Sequence, residues 1–484
     1  MSRFSPLIRV FGALLIGFSL CLAVPMAISW YVEDGAHFAF DDAFVLALAT
    51  GSVLYLSTRK EKRELKVRDG FLLVVLVWTV LPLFACLPFI VQLDISVTDA
   101  YFEAVSGLTA TGATVMSGLD TMPLSINFWR TFLHWIGGMG VVVLAVAILP
   151  LLGIGGRQMF KAETPGPMKE TSLTPRIAET AKGLWRVYLL LTVCCGLALW
   201  HFGMEPWDAM MHAFSVMGLG GFSSKDASLG HFDSIEIELT VMFFALLSGI
   251  NYATHFLALR GLSLKPYRQD PEVPYFLGAL AASILALTLY LLSLGVFGSF
   301  GESLRYVAFH SISLATSLGF ATTDYGQWPF FAQLWMLFLG SFIACSGSTG
   351  GGIKMIRAMI LYKQVYRELI RAMHPSVIWP VRVHGAVVPL NVLSGVMAFG
   401  FIYMVSIVSL TLLMSFTGLD IVTAFSAVVA TINNTGPGLN LVGPMSNYSV
   451  LSDFQTWICT FAMMLGRLEI FTLLVVLTPA FWRK

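Results

Sequence analysis

Charge is scarce in this sequence: Asp, Glu, Lys and Arg make up 12% of its 484 residues, against roughly 25% in an average soluble domain. A soluble fold would have to hide nearly every helix to dispose of a 57% apolar content. Cysteine is sparse as well. The six present (Cys21, Cys86, Cys194, Cys195, Cys345, Cys459) all sit in apolar runs without CxxC spacing, so neither a disulfide framework nor a zinc site is supported. No catalytic triad, metal cluster, paired intramembrane acids or dinucleotide fingerprint is present, and the sequence does not read as an enzyme. A net charge of +1 gives no bulk attraction to nucleic acid.

What the sequence does have is long apolar runs. Leu7 to Tyr31, Phe38 to Leu56, Phe71 to Val91 and Val187 to Phe202 are the first. Most match a hydrocarbon layer ~30 Å thick, which takes ~20 helical residues to cross. The bilayer is the expected solvent. The first run follows Arg3 and Arg9 but is too long for a signal-peptide core, and a second run follows closely; it is expected to be an uncleaved spanning helix.

The placement of charge says more than its sum. Of 29 basic residues, 25 fall at the two termini and in the loops 57–69, 156–186, 260–272 and 354–382, which share one side if each intervening unit crosses an even number of times. That side is expected to be cytoplasmic, with both termini. Only Arg130, Lys225, Arg305 and Arg467 lie elsewhere. The opposite face carries Glu33, Asp34, Asp41, Asp42, Asp99, Glu103, Asp208, Asp226 and Asp233, an acidic mouth that would concentrate cations.

A unit recurs four times: a long apolar helix, a short half-helix, a Gly/Thr/Ser stretch, then another long helix. The half-helix segments begin at Asp99, Asp208, Arg305 and Asp420 and run to TATGAT, GLGGFSS, LGFATT and NNTGPG. Aligning Gly112 with Gly221 aligns Asp99 with Asp208 and Ser106 with Ser215; Gly319 joins with Ser313. Gly436 joins less cleanly, because Asp420 lies three residues too far from it. Such periodicity marks a repeat architecture. Non-helical backbone at membrane depth must line protein or water. Each half-helix is too short to cross, so it enters from the outer face and returns. Four inward-facing carbonyl loops could replace the water around a monovalent cation, with the negative ends of four half-helices aimed at it.

These segments resemble the Trk/Ktr/HKT superfamily of potassium transporters, nearest its bacterial TrkH type, over the whole chain. TATGAT, GGF, LGFATT, NNTGPGL and GSTGGGIK carry the likeness together. The resemblance implies an all-α integral membrane protein of the bacterial inner membrane, with two N-terminal helices (1–69) and four pseudo-fourfold pore repeats. Those repeats are expected at 70–156, 157–272, 273–384 and 385–484, giving ten crossings. It implies that potassium is held by backbone carbonyls of Thr111 and Gly112, Gly220 and Gly221, Leu318 and Gly319, and Thr435 and Gly436. A serine at the first filter position goes with sodium permeation in some plant relatives; here Gly112 stands there. Potassium is the cargo, and no tightly bound cofactor is expected. A homodimer and a cytosolic nucleotide-binding regulatory subunit of the TrkA type are implied as partners.

The second helix of repeat three is interrupted by Cys345 to Lys354, which includes Gly347, Gly350, Gly351 and Gly352. Glycines inside a helix cost ~1 kcal/mol each relative to alanine, so the break needs a reason. The GxxxxGK[ST] phosphate-loop spacing fails here. A loop beneath the filter that opens and closes the path fits the position and the resemblance; a passive kink is the plain alternative. Arg467 stands near the middle of a helix expected from Phe454 to Phe481, too deep to reach either surface. It either pairs with another helix or stands as a positive obstacle in the pore. Glu469, two residues on, points roughly 200° away around a helix and is not its natural partner. His212 and His310 share one place in repeats two and three, with Glu103 in repeat one, as protonation sites or as packing. The competing functional class is a proton- or sodium-coupled potassium symporter working by alternating access, which also uses broken helices.

Overall fold

In a computed structural model, residues 4–60, 65–147 and 173–483 are described. Much of the basic 156–186 loop and part of the 57–69 loop lie outside them, as does the expected boundary at 156. The described chain is helical apart from a small hairpin, Arg382–Val383 paired with Ala386–Val387. Ser5–Val32 and His37–Thr58 form the N-terminal pair. This pair docks on repeat one, where Phe18 and Phe40 contact Trp129 and Asp34 accepts the N–H of Ser125 (2.8 Å).

Each repeat has an outer helix, a pore helix and an inner helix. The outer helices are Val67–Ala85 continued by Leu87–Leu93, Leu173–His201, Val273–Ser293 and Leu390–Phe416. The pore helices are Val97–Leu108, Pro206–Gly218, Phe300–Ala315 and Ile421–Ile432. The inner helices begin at Leu124, Ile235, Phe330 and Asp453. Six described helices are long and apolar enough to cross a membrane, and two bent inner pairs pass the same test.

Burial runs opposite to that of a soluble protein in one respect: large apolar side chains face outward. Leu277, Leu285 and Leu289 on one outer helix and Phe401, Val408 and Leu412 on another are exposed, as expected of a lipid-facing surface. The pore helices occupy the centre. Every residue from Ala100 to Leu108 is buried, hydroxyls and Glu103 included. Packing between repeats is cyclic. The inner helix of repeat one packs on the pore helix of repeat two, that of two on three, three on four, and four on one. The ring closes.

Two local corrections follow from capping. Asp420 is the N-cap of its pore helix and accepts the N–H of Thr423 (3.1 Å). Its counterparts are therefore the N-cap residues Ser96 and Glu205, whereas Asp99 and Asp208 lie three residues inside their helices. Counted from the cap, Gly112, Gly221 and Gly436 all follow at the same interval, and the offset in repeat four vanishes. The pore helix of repeat three is instead one turn longer, capped by Ser299. The second correction concerns the C-terminal helix. It does not run unbroken from Phe454 to Phe481 but stops at Arg467 and resumes at Phe471 after a 114° bend.

Candidate functional site

The four segments after the pore helices share one backbone course. Two residues before each filter glycine the chain is left-handed, at Ala110 (φ 49°), Leu219 (53°), Ser317 (66°) and Asn434 (52°). The next residue sends its N–H back to the pore helix: Thr111 to the Ser106 carbonyl (2.9 Å), Gly220 to Ser215 (2.9 Å), Leu318 to Ser313 (2.7 Å) and Thr435 to Ala430 (2.8 Å). The glycines themselves take φ of 80°, 79°, 82° and 92°, a region that L side chains rarely adopt. Sequence made this legible as a glycine at one register position; the left-handed residue before it carried no glycine signal.

These segments converge. A methyl placed on Gly112 would fall within 3.0 Å of the Gly220 carbonyl, one on Gly221 within 3.0 Å of Leu318, and one on Gly319 within 3.0 Å of Thr435. One on Gly436 would lie 2.7 Å from the carbonyl of Thr111. Each segment thus abuts the next, and the fourth abuts the first. All eight residues expected from the sequence to form a filter lie in this ring. Above it, the four glycines together with Arg130, Lys225, Asp226 and Asn447 border a half-open pocket.

Behind the ring, one position nine residues before each glycine differs between repeats: Glu103, His212, His310 and Ala427. Buried Glu103 accepts from Arg130 Nε (2.8 Å), Thr114 Oγ1 (2.9 Å) and the N–H of Val115 (3.1 Å). It braces the outgoing strand of repeat one, while Arg130 also reaches the Ser223 carbonyl of repeat two (3.3 Å). His212 contacts Ser223 Oγ (2.9 Å) and the Asp208 carbonyl (2.8 Å). His310 Nε2 accepts the N–H of Thr322 (3.2 Å), so Nδ1 is the nitrogen that carries the proton donated to the Tyr306 carbonyl (2.8 Å). A neutral imidazole suits both of those bonds, which favours packing over proton carriage.

Two features escaped sequence reasoning. Arg130 stood out only as a basic residue on the wrong side of the charge map, and nothing paired it with Glu103. Tyr448, which opens the short 3-10 helix Tyr448–Val450, donates its hydroxyl to the Gly436 carbonyl (2.7 Å) and its N–H to the Thr114 carbonyl (2.8 Å), tying repeat four to repeat one. The acidic mouth is also thinner than expected. Glu103 is spent on Arg130, and Asp208 is spent on Ser224 (2.6 Å) and Lys225 (3.4 Å).

Beneath the ring, the inner helix of repeat three ends at Phe342 and resumes at Met355. The segment between touches the other repeats. Thr349 Oγ1 donates to the Met217 carbonyl at the end of pore helix two (3.0 Å), and the N–H of Gly351 reaches Ser317 Oγ in repeat three (3.3 Å). The Gly351 backbone presses so closely on the Asn433 carbonyl of repeat four that a Cβ there would fall within 3.0 Å. Gly350 likewise sits against the Thr316 carbonyl (2.7 Å from a Cβ). Gly347 and Gly352 have φ of 74° and 79°, which permits the reversals. Lys354, itself left-handed at 74°, folds its ammonium back onto the Gly350 carbonyl and toward Ser348 Oγ (3.4 Å).

Arg467 is buried against this loop. Its guanidinium donates to the Thr349 carbonyl (2.8 Å) and to the Gly137 carbonyl of repeat one (3.1 Å). Glu469 pairs with Arg357 (2.6 Å) and not with Arg467. So Arg467 is held by carbonyl oxygens and bridges the loop to the inner helix of repeat one.

A model of the TrkH family, described as a cation transport protein, matches residues 36–484. The chain is 46% identical to the Trk system potassium uptake protein TrkH of Escherichia coli K12, with 100% of each chain covered. It is 36% identical to the Trk system potassium uptake protein TrkG of the same organism, over 98% of this chain and 97% of the other. It superposes on the crystal structure of the potassium transporter TrkH from Vibrio parahaemolyticus with a TM-score of 0.92, at 43% identity, covering 100% of both chains. A fourfold membrane fold and full-length kinship agree: the chain belongs to the TrkH family.

Proposed function

We propose that this protein carries potassium into the bacterial cell through a selectivity filter formed by backbone carbonyls of Thr111 and Gly112, Gly220 and Gly221, Leu318 and Gly319, and Thr435 and Gly436. The observation that supports this reading is the closed ring in which four segments of one backbone course meet edge to edge. Such a ring offers oxygens in place of the hydration shell of a desolvated cation. The four pore helices end at this ring, and their negative ends add to the attraction. Their relatives' shared name, Trk system potassium uptake protein, gives the cargo.

The loop 343–354 and Arg467 act as the gate. Both lie under the filter, and the loop is bonded to repeats two and three while Arg467 links it to repeat one. On this reading residues 1–69 are an N-terminal pair, and 70–156, 157–272, 273–384 and 385–484 are the pore repeats, ten crossings with both termini cytoplasmic. The protein works as a homodimer under a cytosolic nucleotide-binding subunit of the TrkA type.

Recording from purified protein in a planar bilayer tests the choice between channel and coupled symporter. Unitary potassium current steps are expected once the gate is relieved. A fixed potassium-to-proton or potassium-to-sodium stoichiometry, without unitary steps, would favour the symporter.

A further inference from the structure

One buried carboxylate lies outside the pathway described so far. Glu272 is 1% exposed and stands as the N-cap of the outer helix of repeat three. Its Oε2 accepts two backbone N–H groups, from Ser346 and from Ile356, both at 3.0 Å. These two donors sit at opposite ends of the intramembrane loop. The second belongs to the first turn of Met355–Met373, whose N-cap Lys354 supplies no side-chain cap. A helix start leaves such donors open, and an anion placed there is favoured by the helix dipole as well.

We propose that Glu272 is a positioning residue for conduction: its carboxylate latches both ends of the intramembrane loop and holds that loop beneath the filter. The proposal rests on the reading of the loop as a gate. A single oxygen shared by the two ends fixes their separation, so the loop cannot swing out without breaking at least one bond to it. Bonds to a charged acceptor are roughly twice as strong as neutral ones, which suits a latch.

The latch is tied to a second element. The Glu272 N–H donates to Asp270 Oδ1 (2.9 Å), and Asp270 Oδ2 accepts from Thr254 Oγ1 (2.7 Å). Thr254 lies on Tyr252–Gly261, the bent-off end of the inner helix of repeat two, set at 96° to the preceding helix. That same bend grips the loop: the N–H of Cys345 bonds the Gly249 carbonyl (3.0 Å) and the N–H of Tyr252 bonds the Gly347 carbonyl (3.1 Å). A displacement of residues 252–272 therefore strains the loop through both routes together.

The test is rubidium flux into proteoliposomes holding the full-length protein without a regulatory subunit. Glu272→Ala removes both bonds and is expected to raise basal flux about tenfold, the shift that the one charged hydrogen bond broken on opening can impose on a two-state equilibrium. Glu272→Gln keeps an acceptor oxygen and is expected to raise it roughly threefold, with the rubidium-over-sodium ratio unchanged in both. A residue serving only to stabilise the fold would lower flux on removal. If Glu272→Ala does not fold, the Gln variant decides alone. Arg467→Ala is run in parallel. Wild-type or lower flux in the Glu272 variants, with raised flux in Arg467→Ala, overturns the latch and leaves the gate standing. Unraised flux in all three overturns the gate reading and the latch with it.

Discussion

Gly112→Ser is expected to cost the protein about tenfold or more of its potassium-over-sodium preference, a change of ~1.4 kcal/mol in relative barrier heights. Gly112 sits at φ 80°, and a Cβ there would fall within 3.0 Å of the Gly220 carbonyl. Holding a side chain in that backbone region costs roughly 1–3 kcal/mol by itself. The clashing atom is main-chain oxygen, not the end of a flexible side chain, so relief has to come from moving a filter oxygen. Because Gly220 leads directly into Gly221, which abuts Leu318, the displacement spreads around the ring. Competitive uptake of rubidium and sodium, in cells lacking other potassium systems, reads the ratio. Gly278→Ser is a suitable control, since a Cβ at Gly278 meets nothing within 4 Å. An unaltered ratio in a well-expressed Gly112→Ser protein would argue against the filter assignment.

Arg467→Ala carries the second large effect, in the opposite direction. Basal flux is expected to rise by about ten- to a hundredfold, since a hydrogen bond to a charged group contributes ~1.5–3 kcal/mol and moving the loop has to break the one from Arg467 to the Thr349 carbonyl. The guanidinium bridges the Thr349 carbonyl of the loop and the Gly137 carbonyl of repeat one. Removing it frees the loop on that side and, on the proposed gate reading, takes a fixed positive charge out of a poorly screened site on the route. Arg467→Lys should fall between, because an ammonium keeps the charge but lacks the planar fork that reaches two acceptors. Flux unchanged in Arg467→Ala, with the protein folded, would mean that the arginine packs the fold and does not obstruct.

The parts legible in the sequence were those marked by residues with few alternative uses. Four glycines in one register marked the four segments that meet in a ring, and a run of glycines inside an apolar span marked the interrupted helix. A lone cation at membrane depth gave Arg467. Register in repeat four was obscured because an aspartate serves as N-cap there and as an internal first-turn residue in repeats one and two. Only the hydrogen bonds at Thr423 and Asp99 separate those roles. The bend after Arg467 left no mark at all. Leu468 to Phe471 contains neither glycine nor proline, yet Glu469 and Ile470 are left-handed (φ 53° and 49°), with the N–H of Ile470 returning to the Leu465 carbonyl (2.8 Å). Tertiary packing imposes that turn against local preference. Arg130, Tyr448 and Glu272 were hidden for a related reason: each acts on a segment remote in sequence, and a single chain displays no pairing between them.

Thallium, a heavy analogue of potassium, offers the most direct measurement. In crystals of the purified protein grown with a thallium salt, anomalous density is expected on the axis enclosed by the carbonyls of Thr111, Gly220, Leu318 and Thr435. An occupied site elsewhere in the membrane, with that axis empty, would contradict the account.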